Sequence, residues 1–113
     1  MKPYDLFALS TRVMSGIGWD RELETDIFRA TEVNIRTVRP RYTFLTRSLD
    51  AVEELRRRLL PQCPIAVGTS ADIGWEAAIN GHTVHASTEP RARLAALLRA
   101  YAIAKESLER HQE

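Results

Sequence analysis

The sequence predicts an α+β domain, with about four helices and a small, mainly antiparallel sheet of three to four strands. Three observations lead there. Four segments repeat their apolar residues at helical spacing. The stretch "GWEAAINGHTVHAS" sets Asn80-Gly81 between two strand-like runs, the preferred two-residue hairpin turn. The element order is helix, helix, extended segment, helix, strand, hairpin, helix, which is that of an α+β chain. At 113 residues, the whole of 1–113 reads as one domain.

The first helix is "YDLFALSTRVMSGIG", with Leu6, Leu9, Val13 and Ile17 on its stripe and Gly16 and Gly18 to stop it. "DRELETDIFRATE" is the second. Asp20 is a good N-cap, Glu22 and Glu24 suit the positive end of the helix dipole, and Leu23, Ile27 and Ala30 form the stripe. In "VNIRTVRPRYTFLT" the helical period is lost. Val33, Ile35 and Phe44 suit strand or extended backbone there, and Pro40 limits the middle to an edge or a loop. Ser48 then caps a third helix, "LDAVEELRRRLL", whose stripe is Leu49, Val52, Leu55 and Leu59 and which Pro61 ends. The acid-first pairs Glu53–Arg57 and Glu54–Arg58 make Arg56-Arg57-Arg58 a solvated helix face. A short strand, "PIAVGTS", precedes the hairpin. With Asn80 and Gly81 central, Ile79 faces His82, Ala77 faces Val84, Glu76 faces His85 and Trp75 faces Ala86. The last helix starts at Ser87, Thr88 or Glu89, takes Pro90 into its first turn, and carries Leu94, Leu97, Leu98, Tyr101 and Leu108 on its stripe. The tail, 109–113, is expected to fray.

Composition narrows the function. Hydrophobic residues make up 44% and charged ones 27%, ordinary for a soluble globular protein. No run of about 18 apolar residues is present, so no membrane span is expected, and the alternating N-terminus is unlike a signal peptide. The single cysteine, Cys63, cannot form an internal disulfide, which suits reducing cytoplasm. Net charge is +1, too weak for a binder of long nucleic acid. Beneath that balance, fourteen of the sixteen basic residues are arginines, the side chain that grips phosphate and carboxylate with a planar fork. Seven of them fall between Arg36 and Arg58.

A layout recurs in these segments: "DRELETDIFRA", then "YTFLTRSLDAVEEL", then the Trp-bearing "WEAAINGHTVHAST", then "EPRARLAALLRA". It resembles the phage ABA sandwich domain family of small phage and prophage proteins, over roughly residues 5 to 105. The chain departs from that pattern in the extra residues of "RPRYTFLTRSLD" and in "PQCPIAV", where a tryptophan often follows the central helix. The family name implies a single-domain α/β/α sandwich, in agreement with the element order. Some sequences of this type look like the phage anti-Thoeris "sponge" proteins. That likeness implies a phage-encoded protein, cytoplasmic in an infected bacterial host. It would sequester a nucleotide immune messenger, such as a cyclic oligonucleotide or a cyclic ADP-ribose isomer, without cleaving it. The alternative is a phage structural or accessory module that binds another protein and no small ligand.

The residues themselves point away from an enzyme and from any cofactor. No phosphate loop, cysteine cluster or nucleophile elbow appears. His82 and His85, three apart on a strand, point to opposite faces and share no metal. The expected ligand site is the start of the last helix. Position 91 continues the apolar stripe, so Arg91 must either reach water or meet an anion; Arg93 flanks it. The free N–H groups and the dipole favour negative charge at that end, with the Ser87 and Thr88 hydroxyls nearby. Arg91, Arg93, Thr88 and Ser87 are therefore the candidate phosphate contacts. Tyr42, Phe44, Trp75 and His85 are candidates for stacking on a base or for polar contact. Uncovered apolar strips and sheet edges in so small a domain predict a homo-oligomer, a dimer or larger.

Overall fold

A computed structural model describes residues 5–70, 72 and 74–112. It holds four helices, α1 (Leu6–Ser15), α2 (Arg21–Ala30), α3 (Leu49–Leu59) and α4 (Glu89–Gln112). Three strands, β1 (Ala66–Ser70), β2 (Gly74–Ile79) and β3 (His82–Ala86), form one antiparallel sheet in the order β1-β2-β3. The α+β class, the helix number and the antiparallel sheet are those expected from the sequence.

The helix starts follow their caps. Asp5, Asp20 and Ser48 each accept a first-turn backbone N–H, from Phe7, Leu23 and Ala51. The hairpin has the expected register in full: Ile79 opposite His82, Ala77 opposite Val84, Glu76 opposite His85, Trp75 opposite Ala86. Asn80 and Gly81 both have positive φ, 53° and 83°, as a type I′ turn requires. Ala77, Ile79, Val84 and Ala86 turn inward and are buried. β1 extends the sheet on the other side of β2, pairing Val67 with Ala77 and Thr69 with Trp75.

The central element is α4. It packs on β2 and β3, on α1 and on α3, and Ala92, Leu94, Ala95, Ala96, Leu97, Leu98 and Ala100 are all buried. A helix apolar on several sides belongs inside the fold rather than on its surface. Its alanines let α1 approach closely enough for the Ser10 hydroxyl to donate to the Ala95 carbonyl at 2.8 Å. The helices gather to one side of the sheet; the outer face, with Glu76, Thr83 and His85, is left to solvent.

Several sequence expectations are corrected. Residues 33–46 form no strand, although Asn34, Val38 and Arg39 keep extended backbone. They form two 3₁₀ turns, Ile35–Thr37 and Pro40–Tyr42, because Asn34, Thr37 and Thr43 bond their own neighbouring backbone. Ile17 lies beyond the end of α1 and is 82% exposed, and Leu49 opens α3 at 43% exposure. Leu108 is exposed also, and α4 runs on to Gln112 through the tail expected to fray.

Candidate functional site

At the start of α4 the expected phosphate contacts form a structural clasp. Arg91 does continue the inward stripe, but its head does not reach a partly covered surface: the residue is 1% exposed. Its guanidinium donates to the Gly18 carbonyl from Nε (3.1 Å) and Nη2 (2.7 Å), and to the Val13 carbonyl from Nη1 (3.0 Å). The cause lies in α1, whose last carbonyls have no intrahelical donor. Arg91 supplies it from across the core. Gly16 makes room, since a Cβ there would stand 2.5 Å from Nη1. Burial lowers the pKa of this guanidinium, opposed by the charges of Asp20 and Glu24. The Ser87 hydroxyl joins the same loop, donating to the Gly16 carbonyl at 3.3 Å. Thr88 caps α4, its Oγ1 accepting the Arg91 N–H at 3.4 Å. Arg93 is paired with Glu89 at 2.9 Å, four residues back. Arg91, Ser87 and Arg93 thus turn their donors to carbonyls and to a carboxylate of the protein, and the Thr88 oxygen is taken up by a backbone N–H.

The stacking candidates separate as well. Trp75 and Tyr42 are partly buried and pack against the core. His85 stands on the outer sheet face, 3.5 Å from Glu76. Phe44 lines two surface clefts, in company with residues that the sequence reading passed over.

One of them is built around Trp19, which is 48% exposed. Gly18, with φ of 73°, turns the chain out of α1 so that Trp19 stands just before the Asp20 cap. Its indole N–H donates to Glu24 Oε1 at 3.0 Å. The other oxygen of Glu24 accepts from the Thr46 backbone N–H (2.9 Å) and the Thr46 hydroxyl (2.8 Å). Thr46 Oγ1 accepts in turn from the Asp20 N–H at 3.0 Å. A buried carboxylate needs such partners, and here they tie the 17–20 turn to the 43–47 turn. The knot sets Trp19 and Phe44 edge to face, ring centres 5.9 Å apart at 60°. Over both rings lies the Arg47 guanidinium, its Cζ 4.3 Å from the Phe44 centre and 4.9 Å from that of Trp19.

Two clefts flank this cluster. One, of about 490 Å³, is lined by Trp19, Arg21, Glu24, Thr25, Phe28, Ile35, Thr43, Phe44 and Arg47. The second, about 550 Å³ and shallower, adjoins Arg41, Ser48, Leu49 and Asp50, and shares Phe44 and Arg47 with the first. The missed signal was a tryptophan in "GWD", between two helices, where it has no apolar stripe to join.

Neither lining contains a histidine or a cysteine, and the one carboxylate beneath Trp19, Glu24, is spent on three hydrogen bonds. Among the described residues no group of three or more His, Cys, Asp or Glu is placed to hold a metal ion. No helix among them is long and apolar enough to cross a membrane. Comparison of the chain with protein-family models, with curated proteins and with solved structures gave no match. The likeness to the phage ABA sandwich family therefore rests on the short motifs quoted above.

Proposed function

We propose that this chain is a binding protein that sequesters a nucleotide-type ligand without cleaving it, and that the ligand's ring lies in the Trp19–Phe44–Arg47 cleft. The observation that carries the reading is an exposed tryptophan fixed by a buried hydrogen-bonded knot, with an arginine stacked beside it. Ring stacking on an aromatic side chain contributes about 1–3 kcal/mol per base and tolerates any base. A rigid Trp19 loses little freedom when it stacks, and a guanidinium already held over two rings is poised for an anion. The lining offers contact surface and positive charge, with no pair of free reactive groups. On the phage-sponge likeness, the ligand is a nucleotide immune messenger and the role is to silence host defence.

The test is calorimetric titration with cyclic nucleotides, combined with mass spectrometry of the ligand recovered after heat denaturation. Saturable binding with the nucleotide recovered intact supports the reading. Recovery of a cleaved product would replace it with an enzyme. Ile35 and Leu49, 47% and 43% exposed beside the clefts, favour the second reading, a protein-interaction module. Tryptophan and arginine are also the side chains that anchor protein interfaces. Absence of 260 nm absorbance and of any nucleotide heat would support that alternative.

The homo-oligomer belongs to this proposal too. It is supported by the bare outer sheet face and by the edge strand β1, whose residues Ala66–Ser70 carry no charge or proline to discourage pairing. Light scattering that returns the 12.8 kDa monomer at all micromolar concentrations would overturn it.

A further inference from the structure

The second cleft holds a feature that ring stacking does not use. Several arginines of this protein are partnered. Arg12 pairs with Asp26, Arg56 and Arg57 with Glu53, Arg58 with Glu54 and Thr37, Arg93 with Glu89, and Arg91 with carbonyls. Arg41 and Arg47 differ. Each has its guanidinium over an aromatic ring, Arg41 with its Cζ 4.7 Å from the centre of Tyr42 and Arg47 over Phe44 and Trp19. Among the described residues neither has a hydrogen-bond acceptor or a carboxylate partner. Among the described residues Arg21, Arg36, Arg39 and Arg99 are likewise unpartnered, but none of them lines this second cleft; Arg21 lines the first, and the other three line neither. A cation–π contact engages the ring face and leaves the guanidinium N–H groups able to bond elsewhere. Both arginines border one cleft, with their side-chain freedom already reduced by the ring contacts.

We infer that the cleft lined by Arg41, Phe44, Arg47 and Ser48 is the seat of a phosphate-type oxyanion. The planar fork of arginine matches phosphate oxygens two at a time. A stacked arginine has less entropy to lose on forming those bonds. The first-turn N–H groups of α3 lie at the same end and add to the attraction without carrying it. Asp50 lines the cleft as well and opposes an anion, so its charge should weaken the seat. Arg47 belongs to both clefts. A ligand with a ring on the Trp19 side and a phosphate on the Arg41 side would therefore span it, which is the chemistry of a nucleoside monophosphate unit. In assigning the ring, the inference rests on the binding reading above; the oxyanion seat stands on the two unpartnered guanidiniums.

The experiment uses the full chain carrying Trp75→Phe, so that Trp19 is the sole tryptophan, and three probes: adenosine, AMP and inorganic pyrophosphate. Affinities are read from Trp19 fluorescence and by calorimetry. AMP is expected to bind more tightly than adenosine. Arg41→Gln should weaken AMP by roughly tenfold, in line with the loss of charge-assisted bonds, and leave adenosine unchanged. Asp50→Asn should tighten AMP, and added salt should weaken it. Arg41 and Asp50 both face solvent, so the melting midpoint of the Trp75→Phe parent should hold in both variants. Pyrophosphate binding that depends on Arg41, with no response to adenosine, would keep the seat and overturn the nucleotide reading. Adenosine binding as tightly as AMP would keep the ring site and overturn the seat. Binding of no probe, or AMP affinity indifferent to Arg41→Gln and Asp50→Asn, would overturn the seat outright.

Discussion

Two arginine-bearing regions of this chain look alike in sequence and differ in what their donors do. At the start of α4, Arg91 is buried with its Nε, Nη1 and Nη2 all directed at the carbonyls of Val13 and Gly18. At the 43–47 turn, Arg47 lies on two aromatic rings with no acceptor among the described residues. The first arrangement consumes its hydrogen-bonding capacity in holding the fold; the second keeps it for something outside. An anion site is recognised by donors left over, more than by arginine near a helix start. The two regions are also joined, because the Gly18 carbonyl that Arg91 holds belongs to the residue before Trp19.

The contrast is broken most forcefully at Arg91. Replacing it with Met leaves the buried Val13 carbonyl and the part-buried Gly18 carbonyl without this donor and is expected to cost about 3 kcal/mol or more, read by urea unfolding. In the Trp75→Phe background the same change should shift Trp19 emission to the red, as the 17–20 turn loosens. Gly16→Ala should cost about 1–2 kcal/mol through the contact with Arg91, and almost nothing once Arg91 is gone. Additive losses in that double-mutant cycle would mean that Gly16 and Arg91 are not coupled.

Next in size is the knot under Trp19. Glu24→Gln keeps the shape but turns an amide N–H₂ toward a donor, either the indole or Thr46. About 2 kcal/mol should be lost, and nucleotide affinity should fall with it. Full retention of both would detach the cleft from Glu24. The smallest effect lies away from both regions. Gly81→Val meets no atom within 4 Å but places a β-branched residue at φ of 83°, and about 1 kcal/mol is expected from strain alone. An unchanged melting midpoint would contradict the type I′ turn.

Much of this fold was legible because local rules carried it. Asn80-Gly81 set the hairpin register, and Asp20 and Ser48 set two helix starts. The stripe of α4 was read correctly at Leu94, Leu97 and Leu98 but not at Leu108, and its alanines, which make it the central helix, carry no periodic signal. The 33–46 segment was misread. Its β-branched residues suggested extension, whereas Asn34, Thr37 and Thr43 close short turns through side-chain bonds to nearby backbone. The site was hidden for a different reason. Trp19 and Phe44 stand 25 residues apart in loops of no regular period, and the link between them runs through Glu24 and Thr46, which read as an ordinary first-turn acid and an ordinary loop threonine. Placing Arg91 on the inward stripe was sound; what sequence alone could not show was that α1 ends beneath it, with open carbonyls.

The central claim is that ligand meets the Trp19–Phe44–Arg47 cleft and not the α4 start. Calorimetric titration of a cyclic dinucleotide into the full chain, its Arg47→Ala variant and its Arg93→Ala variant tests it most directly. The account predicts that Arg47→Ala weakens binding roughly tenfold or more with the melting midpoint unchanged, while Arg93→Ala, which removes only the partner of Glu89, binds as the parent does. Unchanged affinity in Arg47→Ala together with a loss in Arg93→Ala would return the site to the start of α4.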